Sequence, residues 1–387
     1  MPMATPLRTD PSNAFAYHSM KVRVPSIIAG VIARNADYPD RFKDDLQHLH
    51  DAIVTDQPMR PLPAPAPDFD AWQSAFASFD GETWLNTQWL FAEFFAYRWI
   101  NHAVDYWRTA RDPFAPFKAD ERERPELWEV LGEALAIDAP TEAHLRQLML
   151  YMLWGNRIDL SLKASADQGT TAQDDHLLTD ELDAAVHHLL SHAPAPLHVV
   201  MDNAGTEQAM DLAFVDYILR TDVATNVTLH VKLLPVLVSD VIPNDMPLLL
   251  TSMHERGGTF TQLAIRLQRF LDTGRLRIIP DGYWNEPLFL DRLPNRLARP
   301  MQQSRLVILK GDANYRRATH DALWPDGTTL GDILSGFPTS VLALRTLKSD
   351  TLAGVDAATQ ARLNAQHHGD TWRTNGTYGV AEFVRSG

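Results

Sequence analysis

The chain has 387 residues, 45% of them hydrophobic and 22% charged, a formal net charge of −14 and no cysteine. This balance can bury a sizeable core and excludes disordered and fibrous chains, and the length suits one large or two ordinary domains. The negative charge disfavours nucleic acid and anionic membranes as partners. The missing cysteines exclude disulfides, thiolate zinc sites and cysteine nucleophiles, as expected of a cytoplasmic protein.

The segment Met1 to Pro25 lacks the continuous apolar stretch of a signal peptide. Leu233–Val238 and Met246–Leu250, the most apolar runs, fall far short of the ~20 residues a membrane helix needs. Gln57 to Pro67 holds five prolines in eleven residues and reads as an extended connector. The pattern is then helical: Trp84 to Ala110 is apolar on most faces, a sign of burial on several sides, and Glu126–Ala136 and Thr141–Trp154 follow. Lys163 to Asp175 is a polar break, followed by a short helical segment and Ala193–Pro196.

Beyond Pro196 short Val-, Leu- and Ile-rich runs alternate with amphipathic helices. Strands are predicted at Leu197–Asp202, Val227–Asp240, Leu276–Pro280, Arg305–Asp312 and Ser340–Lys348. Helices are predicted near Glu207–Leu219, Phe260–Leu271 and Tyr315–Leu323. This alternation implies βαβ units. The expected fold is α/β: a three-layer α/β/α domain with a mostly parallel sheet, preceded by an N-terminal helical domain. The expected spans are 1–165 for the helical domain, 166–196 for a polar, Pro-rich connection and 197–387 for the α/β domain.

Ligands of open parallel sheets bind outside the carboxyl ends of the strands. The polar residues at those ends are Asp202-Asn203, Ser239-Asp240, Gly311-Asp312 and Arg345 to Lys348. Asp202-Asn203-Ala204-Gly205 either caps an ordinary strand-to-helix turn or lets the backbone approach a ligand, with helix N–H groups offered to an anion. Asp202, Asn203 and Asp240 together make an all-oxygen ligand set that suits Mg²⁺ or Mn²⁺ better than Zn²⁺. Leu309 to Arg317 gathers an acid, an amide, a phenol and two guanidiniums, and the Arg fork matches phosphate oxygens. Lys348 can reach a phosphate from its edge. Familiar covalent-phosphatase devices are missing, with no DxDx[TV] motif, no Cys-x5-Arg loop and no Arg-His-Gly, and the nucleotide-binding P-loop is absent as well.

Several ordered segments resemble the metal-dependent damage-control phosphatase family, also described as acidic-residue or protein-glutamate methyltransferases. They are WLFAE (Trp89–Glu93) with Tyr97-Arg98, RDPFAPFK (Arg111–Lys118), WGNRIDLSL (Trp154–Leu162) and MDNAGTEQAMDL (Met201–Leu212). LHVKLLPVLVSDV (Leu229–Val241), LKGDANYRR, LRTLK and TWRTNGTYGVAEF (Thr371–Phe383) complete the set. The Arg-Thr-x-Lys element resembles that of the sugar-phosphate subfamily. The resemblance implies that Asp202, Asn203 and Asp240 are metal ligands that also touch substrate. It further implies that Asp312, Ala313, Asn314, Tyr315 and Arg316 form the substrate loop, and that Lys348 is a phosphate-binding cation. The implied reaction is hydrolysis of a small phosphorylated substrate, such as a fructose phosphate, with Mn²⁺, Mg²⁺, Co²⁺ or Ni²⁺. Ala313 and Ala381 depart from the family pattern.

On this reading Asp202, Asn203, Asp240 and Asp312 carry the chemistry, with Asp312 serving as base or as substrate ligand and Arg316 and Lys348 holding phosphoryl oxygens. The helical half would wall the pocket, and Glu93, Asn156 and Asp159 in it either take part there or, the favoured reading for each, serve the structure. Two alternatives are an S-adenosylmethionine-dependent carboxyl methyltransferase and a non-catalytic carbohydrate- or protein-binding module. The first is opposed by the single glycine, Gly205, in the turn after its strand.

Overall fold

A computed structural model describes residues 4–155, 176–367 and 369–386. Nine strands are assigned among them. β1 (Thr5–Pro6) pairs antiparallel with β7 (Ala322–Leu323). The other seven form one sheet: β2 (Leu177–Asp180), β3 (Ala195–Val200), β4 (Ala224–Lys232), β5 (Leu276–Asp281), β6 (Leu306–Lys310), β8 (Val341–Thr346) and β9 (Gly379–Val384). Their order is β2-β9-β8-β6-β3-β4-β5. Every neighbouring pair is parallel except β8 and β9.

β6 and β8 are buried at every residue, and β3 over its last four. This is why they read as continuous apolar runs rather than as alternating strands. One face of the sheet is covered by the helices Pro125–Leu135, Thr141–Trp154, Leu182–Leu190, Thr206–Arg220, Asp245–Arg256 and Gly258–Asp272. Leu297, Met301, Tyr315, Leu330 and Leu363 cover the other face, together with Tyr283, Trp284 and Trp372. The result is the expected α/β/α sandwich. The expected boundary at residue 165 lies outside the described residues.

A third apolar cluster unites the helices Val24–Arg34, Asp40–Val54, Phe69–Phe76 and Trp89–Ala103. Trp89–Ala103 is buried on nearly all sides, polar residues included. Two of those polar side chains, Arg98 and Asn101, find partners far along the chain. Arg98 holds Asp68 through two hydrogen bonds of 2.6 and 2.8 Å, and Asn101 donates to the Pro235 carbonyl at 2.7 Å. The helical region therefore sits against the segment that follows β4, over the carboxyl edge of the sheet. Among the described residues, no helix is long and apolar enough to cross a membrane.

Candidate active site

The carboxyl ends of β3, β4, β6 and β8 meet at the expected edge, because the four strands are parallel neighbours. Asp202 follows β3 and is buried. Asn203 donates through Nδ2 to Asp202 Oδ2 at 3.0 Å and to Glu207 Oε1 at 2.8 Å. Its Oδ1 accepts from Ser239 Oγ.

Asp240 reaches the site by a different route from the one predicted. β4 ends at Lys232, and the chain then loops out and returns, so that Asp240 forms an isolated antiparallel bridge with Asn203. Val241 N–H donates to the Asp202 carbonyl at 2.8 Å, and Ala204 N–H to the Ser239 carbonyl at 2.6 Å. That second bond occupies an N–H expected to face an anion. The return passes through Leu237 and Val238 at φ values of 51° and 70°. Left-handed backbone is strained for a β-branched residue and is held only where the surroundings enforce it. Here Leu237 and Val238 are packed against the N-terminal helical core.

The electrostatics of this group are lopsided. Burial drives the Asp202 carboxyl well above its ordinary range, and the neighbouring carboxylates of Glu207 and Asp240 push it further. Asp240 is likewise raised by burial, against the opposing pull of Lys232. Lys232 Nζ stands 3.1 Å from Asp240 Oδ2 as an ion pair, and no further partner of this buried oxygen is found among the described residues. Lys118 bonds the Asp240 carbonyl at 2.9 Å and Asp245 at 2.8 Å, and its ammonium is 3.1 Å from Asp112. Among the described residues no three His, Asp or Glu side chains already stand in ligating positions. The donor set is two aspartates and an amide, with Glu207 engaged by that amide.

The expected substrate loop is the opening turn of a helix, Gly311–Ala318, which starts directly after β6. Only Asp312 and Ala313 of its predicted contacts are part-exposed. Asn314 donates to the Met201 and Lys310 carbonyls at 3.1 and 2.8 Å, fastening the helix to β3. Tyr315 is buried, and its hydroxyl accepts from Ala353 N–H at 3.2 Å. Arg316 is buried against the Trp89 ring, 3.7 Å from its centroid, and binds Glu93 and Asp321. Its guanidinium joins the helical region to the sheet, so in this structure its donors are engaged by Glu93 and Asp321. Glu93 is thereby structural as well, whereas Asn156 and Asp159 lie outside the described residues.

Asp312 Oδ1 accepts three bonds, from Arg345 Nε at 2.7 Å, Lys348 N–H at 3.1 Å and Ser349 Oγ at 3.0 Å. Burial opposes its charge, but Arg345 and Arg316 outweigh this and hold the carboxyl below its ordinary range. Oδ2 takes no hydrogen bond among the described residues. Arg345 also donates to the Ser349 and Thr351 carbonyls at 2.8 and 2.7 Å, which shapes the turn carrying Lys348. Lys348 is half-buried, and among the described residues its Nζ has neither a hydrogen-bond nor an ion-pair partner. Its charge lowers the Asp202 pKa, against the raising effects of burial and carboxylates.

Glu207, Lys118 and Lys232 escaped the strand-end rule. Lys310, a further buried lysine, lies 3.0 Å from Asp211 and 3.7 Å from Glu207. A lysine closing an apolar strand, as Lys232 and Lys310 do, signals a buried carboxylate beside it.

Residues 19–363 match the family profile of the damage-control phosphatase ARMT1-like domain. The damage-control phosphatase ARMT1 of Danio rerio is 26% identical, with 96% of this chain and 94% of that protein covered. The Homo sapiens protein of the same name is 25% identical, with 96% of each covered. A DUF89 family protein from Pyrococcus horikoshii aligns in three dimensions at 12% identity and a TM-score of 0.49, over 95% of this chain and 98% of its own.

Proposed function

This chain belongs to the damage-control phosphatase ARMT1-like family, and from that premise we propose a divalent-metal-dependent hydrolase of small phosphomonoesters, sugar phosphates such as fructose phosphates foremost. The observation that carries this reading is the crowding of Asp202, Glu207 and Asp240 around Asn203, close to Lys348. Buried carboxylates that raise one another's pKa call for a counter-charge. The two lysines whose charges oppose that rise for Asp202, Lys348 and Lys232, leave it well raised. A divalent ion held by Asp202, Asn203 and Asp240 meets that need, and oxygen donors suit Mg²⁺, Mn²⁺, Co²⁺ or Ni²⁺.

When bound, the metal supplies Lewis-acid polarisation of a phosphoryl oxygen and acidifies a water. The protein's own groups supply the rest. Lys348 binds a phosphoryl oxygen and stabilises the charge that spreads over the equatorial oxygens in a loose transition state. Asp312, kept ionised by Arg345, is a poor general base but a good acceptor, and its unused Oδ2 orients a substrate hydroxyl. Ser239 and Glu207 hold the Asn203 amide in place. The absence of cysteine supports a reducing, cytoplasmic setting.

The test is phosphate release from a panel of sugar phosphates, with and without Mn²⁺ or Mg²⁺. Metal-stimulated release is the expected result. Silence toward every phosphomonoester with every metal would overturn the reading.

A further inference from the structure

Two adjoining cavities flank Asp350, two residues beyond Lys348. The larger, about 570 Å³, is walled by Asn13, Phe15 and His18 on one side and by Asp370 and Arg373 on the other. The smaller, about 120 Å³, shares Asp350 and Arg373 with it. The larger falls within the roughly 300–1,000 Å³ range of small-molecule sites.

Asp350 is 9% exposed. Its Oδ2 accepts from Asn13 Nδ2 at 2.8 Å, while Oδ1 takes no hydrogen bond among the described residues. Arg373 donates to Gln360 Oε1 at 2.6 Å, and its Nε is buried without a hydrogen-bond partner among the described residues. The cleft thus offers a nine-tenths-buried carboxylate with one unused oxygen, and one phenyl face. Two acids, Asp350 and Asp370, face one guanidinium and one imidazole, so the charges do not favour an anion. The walls come largely from residues outside the 19–363 family match. They stand apart from Asp202, Asn203 and Asp240, none of which lines the cleft.

We propose that this cleft is a second ligand site, for a neutral polyhydroxylated molecule, a sugar or sugar alcohol without phosphate. Vicinal hydroxyls pair donor and acceptor atoms in the way that the free Asp350 oxygen, Asp370 and His18 require, and Phe15 covers an apolar sugar face. The site is coupled to the phosphate cation through the chain itself. Asp312 Oδ1 holds both the Lys348 N–H and Ser349 Oγ, and Asp350 is the next residue. A ligand on Asp350 therefore steadies the turn that presents Lys348. The inference depends on neither the metal nor phosphate release.

The experiment is calorimetric titration of the full chain with D-fructose and with sorbitol. Saturable binding is expected in the wild type. It should weaken at least tenfold in Asp350→Asn and in Asp370→Ala, the latter an exposed position whose loss leaves the fold intact, and it should persist in Lys348→Ala. No saturable binding would overturn the proposal. So would binding that survives Asp370→Ala but is displaced by inorganic phosphate or lost in Lys348→Ala, since the sugar would then occupy the phosphate site. Phosphate release, measured separately, judges the phosphatase reading on its own.

Discussion

A β-carbon at Gly311 would stand 1.8 Å from Oδ2 of Asp202. The first residue after β6 and the carboxylate after β3 occupy one space, and only a residue without a side chain permits both. Gly311 also holds φ at 78°, the left-handed region that costs other residues roughly 1–2 kcal/mol. Gly311→Ala should displace the Asp202 carboxylate and weaken Mn²⁺ binding by roughly 10–100-fold, the usual effect of disturbing a ligand's support. Metal titration by calorimetry beside a melting curve checks this. Unchanged metal affinity in a folded variant would separate Asp202 from the metal.

Lys348→Ala removes one charge-assisted hydrogen bond, worth about 1.5–3 kcal/mol. Activity should fall by roughly one to two orders of magnitude, because each 1.36 kcal/mol is tenfold in rate. Lys348→Arg should rescue poorly, since a planar fork does not replace a compact ammonium. Steady-state kinetics on one sugar phosphate compare the three proteins. Wild-type rates in the alanine variant would remove Lys348 from the site.

Chelation should abolish phosphate release, and Mn²⁺ should restore it. Asp240→Asn should lose metal affinity while keeping the fold, because the amide fills the same space and no longer repels Asp202. Full activity in a metal-free preparation would sink the proposed chemistry.

Arg316 offers a test that separates structure from substrate binding. Arg316→Ala leaves Glu93 and Asp321 as buried carboxylates without a counter-ion, a change that costs about 3–5 kcal/mol. The expected outcome is a sharp loss of stability, with KM for the sugar phosphate unchanged in whatever fraction folds. A stable variant with a greatly raised KM would return Arg316 to the phosphate site.

His198 Nδ1 and His230 Nε2 lie 2.8 Å apart inside the sheet. Burial lowers the two imidazoles to about 4 and about 3 from an ordinary 6.5. Between these values and 6.5 the unfolded chain binds protons that the folded chain refuses. Their contribution is therefore intact above pH 6.5 and is lost as pH falls, by up to about 1.4 kcal/mol per unit for each histidine. Urea unfolding at pH 7.5, 6 and 5 should show the wild type losing more stability than His230→Gln. Parallel losses in the two proteins would exclude a buried neutral pair.

Much of the scaffold was legible because parallel strands covered on both faces must be apolar throughout. β3, β6 and β8 announced themselves, and so did the polar residues that end them. The buried helix Trp89–Ala103 did the same through its all-round hydrophobicity. β2 and β9 were not read. β2 has four residues and lies at the sheet edge, and β9 starts with a glycine and carries the buried Glu382, so neither shows a clean period. The helix after β6 was expected at Tyr315 and begins at Gly311, because a glycine and an aspartate read locally as a turn.

The sequence by itself determined which side chains follow β3, β6 and β8, since alternation and burial are local properties of the chain. Tertiary structure alone decided which partners those side chains meet. Asp240 lies eight positions past the end of β4 and reaches Asn203 only because a strained loop is packed against the N-terminal helices. Lys118 meets Asp240 across 122 positions, and Glu93 meets Arg316 across 223. A buried charge must find its counter-charge wherever the chain path brings one, and periodicity carries no record of that path. Arg316 and Lys348 are both cations beside strand ends in the sequence, but the fold gave Arg316 two carboxylates and left Lys348 half-buried, with no ion-pair partner among the described residues.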